Sequence, residues 1–271
     1  MYATGTLKAG QTCGSHVASD LFALADARNV SCAWLCVQLS EPHCVNEGDL
    51  HLPAMHMMRH GSEWEGDCKQ RVRGRYAENL AGAVVAVAGL FTGDWLPTLS
   101  KVVGTQGLVH GFEPTRSVSL ARTTAAANGL ANVVIHHKCL SDRDTSAQMC
   151  VRNKQGRSRG GSSAVIESSD AAGACGAAER VRCRPLDAVL PWSSRRIAFV
   201  LLDVEGHEVT ALEGATGLLK RWRPVLALEQ NVEGTRVFNS TLGPLGYRRT
   251  FTCSGLSVFR SQRLEFGSRD P

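Results

Sequence analysis

The stretch Ile197-Ala-Phe-Val-Leu-Leu-Asp-Val-Glu-Gly-His-Glu208 decides the fold. Its first six residues are apolar without alternation, as in a central strand of a parallel sheet buried on both faces. The run stops at Asp203, and Glu205 and Glu208 follow within one turn. Burying charge is costly, so carboxylates at the end of such a strand point to use rather than to folding. In open α/β sheets the carboxyl ends of the strands border the ligand crevice.

Working outward, similar apolar runs recur with helical stretches between them. Ala83–Ala88 reads as a strand, Gly89-Leu-Phe-Thr-Gly93 as a tight loop and Asp94–Val103 as a helix with Pro97 in its first turn. Leu108–Phe112 is a second strand, Thr115–Asn128 a helix closed by Gly129, and Asn132–His137 a third strand. After Ile197 come a helix over about Val209–Lys220, a strand at Val225–Glu229, and an antiparallel pair, Tyr247–Thr252 with Leu256–Arg260. This alternation predicts right-handed βαβ units and a parallel sheet. Val181–Leu190 reads as an edge strand and a short helix.

Two regions resist this pattern. Residues 1 to 80 are irregular, with helical stretches predicted at Val17–Ala27 and Glu63–Leu80. The second is basic at Lys69, Arg71, Arg73 and Arg75. Ser141–Ala178 is rich in Gly, Ser, Ala and Arg and is expected to be a structureless, flexible insertion. The domains expected are an extension (1–80), a main domain (81–263) and a tail (264–271).

Composition narrows the class. The chain has 271 residues and a hydrophobic share of 43%, ordinary for a globular protein. A net charge of +5 favours anionic partners only weakly. Ten cysteines are scattered, and Cys32 with Cys36 lacks metal-finger spacing. They are expected to be reduced and partly buried, and no signal sequence or membrane-length apolar run is evident, so a cytoplasmic location is predicted. His56 and His60 stand one helical turn apart without an evident third ligand, and no metal site is assigned.

The chemistry-bearing residues cluster at strand ends. Gly89 and Gly93 bound the first loop, where backbone can approach a ligand; bulky Leu90 and Phe91 between them suit one without phosphates. Glu113 ends the second strand about 20 residues after Gly93, the spacing of an acid that accepts hydrogen bonds from ribose hydroxyls. Asp142, after Ser141, is a candidate contact for an adenine amino group. Asp203, Glu205, His207 and Glu229 could deprotonate or orient a hydroxyl, or hold a divalent cation. For Glu208 a first-turn acid stabilising its helix is the better reading.

Taken together, these motifs resemble the FkbM family of S-adenosylmethionine-dependent methyltransferases, from Ala83 to about Arg260. The strongest match is Leu202-Asp-Val-Glu-Gly-His-Glu208 with Leu212-Glu-Gly-Ala215. Gly111-Phe-Glu-Pro114, Asn128–Val133, Pro224–Glu229 and Leu245-Gly-Tyr247 support it. Val87 departs from it, since family members commonly place an acid or amide before the first glycine. The resemblance implies a class I Rossmann-like α/β fold, with a mostly parallel seven-stranded sheet, a C-terminal antiparallel hairpin and helices on both faces. It also implies S-adenosylmethionine as cofactor, held by Ala88, Gly89, Gly93, Asp94, Glu113, Pro114, Ser141, Asp142 and Asp203. The implied acceptor is a hydroxyl of a small molecule or glycan. The alternatives are methylation of nucleic acid, suggested by the basic stretches, and a non-catalytic binding protein on the same fold. No membrane partner is expected.

Overall fold

The computed structural model describes residues 65–166, 173–190 and 195–262. The Val17–Ala27 helix, the His56/His60 pair and the 264–271 tail lie outside the described residues. Helix α1 (Gly66–Leu80) leads into β1 (Val84–Ala88), α2 (Leu96–Val103), β2 (Leu108–Phe112), α3 (Val118–Ala127) and β3 (Val133–His136). An arm follows, made of β4 (Cys139–Leu140), β5 (Thr145–Asn153), β6 (Ala164–Val165) and β7 (Cys175–Arg184). The chain then runs through α4 (Leu186–Val189), β8 (Ile197–Leu202), α5 (Glu208–Glu213), α6 (Thr216–Trp222) and β9 (Val225–Leu228). It closes with β10 (Tyr247–Cys253) and β11 (Leu256–Ser261).

The main sheet has seven strands in the order β10-β11-β9-β8-β1-β2-β3. Five are parallel neighbours, and β11 runs antiparallel to both β9 and β10, so the sheet is mixed. Every residue of β1, β8 and β9 is buried, which accounts for their unbroken apolar runs. Alternate side chains feed two cores. Val85, Val87, Phe199 and Leu201 pack with Val72 and Leu80 of α1 and with Leu96 and Leu99 of α2. Ala86, Ala88, Val200 and Leu202 pack on the other face with Leu186, Leu212, Leu218 and Leu219.

The chain progresses from β1 to β2 and β3 on one side and from β8 to β9 on the other. The order therefore reverses between β1 and β8, where Ala88 is paired with Leu202. Ligands in open α/β sheets bind at such a reversal, outside the carboxyl ends of the strands.

Three expectations are corrected. The single helix over about Val209–Lys220 is two helices, parted at Gly214 and Ala215. A Cβ at Gly214 would strike the Ser141 carbonyl oxygen and approach Pro185 Cα at 3.1 Å. At this break Asp187 caps α6, accepting from the backbone N–H groups of Gly217 and Leu218, each at 2.8 Å.

The segment expected to be structureless is largely sheet. β5 and β7 pair antiparallel from Thr145↔Cys183 to Asn153↔Cys175, with β6 on the far edge of β5. Val181–Arg184, expected as an edge strand, is the end of β7, which lies between β4 and β5. Few apolar residues are needed because the arm's core is small, built on Cys139, Met149, Val181 and Cys183.

The expectation of reduced thiols is also overturned. Cys68–Cys253, Cys139–Cys183 and Cys150–Cys175 are disulfides. The other four cysteines, Cys13, Cys32, Cys36 and Cys44, lie outside the described residues. Scatter along the sequence concealed partners that the sheets bring together. Among the described residues no helix is long and apolar enough to cross a membrane.

Candidate active site

The parallel hydrogen-bond ladder runs one residue past each strand and sets a row of functional groups along one edge. Gly89 N–H donates to the Phe112 carbonyl at 3.1 Å, Glu113 N–H to His136 at 3.1 Å, Asp203 N–H to Ala88 at 3.1 Å and Glu229 N–H to Leu202 at 3.0 Å. These four residues face a cavity of about 630 Å³. Its floor is the crossing of two loops, where a Cβ at Gly89 would collide with the Asp203 carbonyl oxygen. Gly89 has φ +84, a region that favours glycine.

On the β2 side stands Glu113, only 5% exposed. Its Oε2 accepts from Phe91 N–H at 2.8 Å, and its Oε1 accepts from the Thr115 N–H at 2.9 Å and hydroxyl at 2.6 Å. Burial raises its pKa against these hydrogen bonds, which favour the carboxylate. The carboxylate still has lone pairs to offer the cavity.

Beyond Asp203 and β8 the acids gather. Carboxylate oxygens of Asp203, Glu205 and Glu229 lie within 4.8 Å of one another, a grouping able to hold a divalent cation or share a proton. Burial, then Glu229 and Glu65, raises the Asp203 pKa well above the usual carboxylate range. Burial, then Glu229 and Glu208, pushes Glu205 up to about 7, opposed by Arg159. Glu208 is fully buried and accepts from Val204 N–H at 3.1 Å, so it braces the turn before α5.

Of the residues predicted from sequence, Ala88, Gly89, Asp94, Glu113, Pro114, Asp203, Glu205, His207 and Glu229 line this one cavity. Gly93, Ser141 and Asp142 do not. At Gly93 a Cβ would meet Leu96 Cδ1 at 2.9 Å and Ala121 Cα at 3.1 Å, so this glycine allows α2 and α3 to pack closely. Asp142 turns to Arg143, at 2.9 Å, and to the Ser141 hydroxyl. Lys138, Cys139 and Leu140 line the wall there instead.

Three groups of lining residues escaped the sequence reading. Glu65, Gly66 and Asp67 come from the start of α1; Met149, Gly160–Ser163 and Val165 come from the arm; Ser254 and Gly255 come from the last hairpin. The Gly160-Gly161 pair carried a signal, since Gly160 has φ +53, a region that favours glycine. Asp94 is held by Lys69 at 2.8 Å, with the lysine side chain 3% exposed. That pairing places one residue of the basic stretch inside the fold. Among the described residues, five other than glycine have φ in the left-handed region, and four of them, Glu65, Phe91, Glu205 and Ser254, line the cavity. Such conformations concentrate at functional sites, where surrounding structure sustains them.

Comparison with known proteins identifies a family. A family model described as a methyltransferase FkbM domain matches residues 81–243. No curated protein matches the chain. Among solved structures, an FkbM methyltransferase from Methylobacillus flagellatus KT is 17% identical, with a TM-score of 0.43, covering 65% of this chain and 42% of that one. The O-methyltransferase TomG from Streptomyces achromogenes, solved with S-adenosylmethionine, is 14% identical, with a TM-score of 0.41, covering 90% and 87%. An O-methyltransferase from Bacillus cereus, solved with S-adenosylhomocysteine, is 11% identical, with a TM-score of 0.40, covering 90% and 89%.

Proposed function

The chain belongs to the methyltransferase FkbM family, and from that premise we propose that it methylates a hydroxyl of a small molecule or sugar, with S-adenosylmethionine as donor. The observation that carries this reading is the single row of Gly89, Glu113, Asp203 and Glu229 at the reversal of strand order, all facing one cavity. The arrangement supports a class I methyltransferase fold, whose donor lies across such strand ends.

The cavity fits the donor group by group. Glu113 accepts from ribose hydroxyls, and Leu140, Met149 and Phe91 offer apolar surface to a base. The left-handed Gly89 brings bare backbone to the middle of the ligand. The acids beyond it suit a cationic sulfonium end. When bound, S-adenosylmethionine supplies an electrophilic methyl group. Asp203, Glu205 and Glu229 receive the acceptor hydroxyl, orient its oxygen and take its proton. A carboxylate pushed up to about 7, as Glu205 is, is matched to base catalysis near neutral pH. Alignment of oxygen with methyl supplies much of the rate.

A second reading rests on the arm. Arg152, Lys154, Arg157, Arg180 and Arg182 are exposed on the arm, whose Met149, Gly160–Ser163 and Val165 line the cavity, and they favour an anionic acceptor such as nucleic acid. The described arm has no aromatic side chain for stacking bases, so the small-molecule reading is preferred. Three disulfides support an oxidising compartment over the cytoplasm expected from sequence.

Calorimetric titration with S-adenosylhomocysteine tests the donor, and a metabolite screen with labelled donor identifies the acceptor. No binding would leave a non-catalytic protein on this fold. Salt-dependent RNA binding with methyl transfer to RNA would replace the small-molecule acceptor.

A further inference from the structure

Helix α1 precedes the family match, which begins at residue 81, yet its first turn borders the cavity. Three ties hold it there. Cys68 is bonded to Cys253 of the last hairpin, Lys69 pairs with Asp94 at 2.8 Å, and Trp95 Nε1–H donates to Glu65 Oε2 at 2.5 Å. Glu65 itself has φ 52, so its placement is imposed by the surrounding structure rather than by local preference.

This placement sets a carboxylate among carboxylates. The electrostatic neighbours of Glu65 are Asp94, Lys69 and Glu229, and it acts in turn on Asp203. The lysine is engaged by Asp94. Trp95 donates to one oxygen of Glu65, and the carboxylate keeps lone pairs to offer the cavity it lines. Burying a carboxylate is costly, and a Lys69 ammonium shared with Asp94 leaves room for a second cation. The position of Glu65 says which cation. β1 ends in Val87-Ala88-Gly89 with no polar side chain of its own, and Asp203 is crowded by the Glu229 carboxylate within 4.8 Å. A ligand whose ribose rests on Glu113 beside β2 extends over Gly89 toward Asp203 and Glu65.

We propose that the Glu65 carboxylate receives the ammonium group on the methionine half of the cofactor, so that α1 completes the donor site from outside the family domain. The inference rests on the methyltransferase reading above. It makes Glu65 a binding residue rather than a catalytic one, and gives the Cys68–Cys253 bridge the task of holding it at the cavity.

The test is calorimetry on the full chain with two probes: S-adenosylhomocysteine, and 5′-methylthioadenosine, which lacks the amino-acid half. Glu65→Gln is expected to weaken S-adenosylhomocysteine by at least about tenfold, the loss of a charge-assisted contact, while methylthioadenosine changes less than about twofold. Equal weakening of both probes, or of neither, overturns the proposal and leaves the methyltransferase reading standing. The native chain provides a check independent of any variant: the deamino analogue of S-adenosylhomocysteine is expected to bind at least about tenfold more weakly, and equal affinity overturns the proposal. A native chain that binds none of these probes overturns both readings.

Discussion

In the main sheet, every residue of β1, β8 and β9 is buried, whereas β5 in the arm alternates between exposed and half-buried positions and buries only Met149 and Cys150. Both regions are β-structure, but they are stabilised differently. The main sheet is sandwiched between helices and removes two apolar faces from water, which makes its stability a matter of burial. The arm is a ribbon of polar and basic residues around a four-residue core, closed by two disulfides. Its stability comes from cross-links that limit the unfolded chain.

Truncating an apolar side chain separates the two most sharply. Phe199→Ala, at a position with no exposure, should cost about 3–5 kcal/mol in denaturant unfolding. Met149→Ala in the arm should cost less than about 2 kcal/mol, since its site can collapse toward solvent. Equal costs would erase the distinction. Replacing Cys150 and Cys175 together by serine reverses the emphasis. It should cost the arm about 3 kcal/mol, seen as faster amide exchange in β5 and β7, with the main-sheet transition nearly unmoved.

Function is expected to divide along the same line. Asp203→Asn keeps shape and capping ability but removes the charge, so methyl transfer should fall by at least about a hundredfold while S-adenosylhomocysteine binding persists. Activity within a few-fold of native would assign Asp203 to structure and shift attention to Glu205, His207 and Glu229. Glu113→Ala should weaken S-adenosylhomocysteine by about 1–3 kcal/mol in calorimetry. Unchanged affinity would remove Glu113 from the donor site.

The smallest effect is one of pH. Burial, with the nearest acids, raises both Glu65 and Glu205 to about 7 from 4.5. Between these values the folded chain holds more protons than the unfolded chain, so stability falls as pH rises from about 4.5 to about 7. The cofactor-free protein should melt at a higher temperature near pH 5 than near pH 7.5. Glu65→Gln with Glu205→Gln should flatten that slope, and an unchanged slope would show that other groups set it.

The contrast between the sheets also explains what was legible in the sequence. Central strands buried on both faces announce themselves as apolar runs, so β1, β8 and β9 were recognisable, and the alternation with helices located β2 and β3 beside them. Gly89, Glu113, Asp203 and Glu229 followed because each sits at the close of such a run. Strand pairing in the arm leaves little imprint on composition, since backbone groups make its ladder and cysteines close it. Glu65 was concealed for another reason: its role depends on α1 being carried across the fold to Cys253, and nothing local in Glu65-Gly-Asp-Cys68 records that distance. The break at Gly214 was missed because only the approach of Ser141 and Pro185 demands it.

The three disulfides have a consequence for cleavage. Cys150–Cys175 lies inside the span of Cys139–Cys183, which lies inside that of Cys68–Cys253. The covalent chain is thus a set of nested rings, with the exposed basic residues Lys154 and Arg157 on the innermost. A protease cutting there opens one ring without releasing either piece, because all three bridges still span the cut. Nicked protein would migrate as a single species until its disulfides are reduced, with the two inner bridges holding the cut arm together and the outer one keeping α1 on the last hairpin.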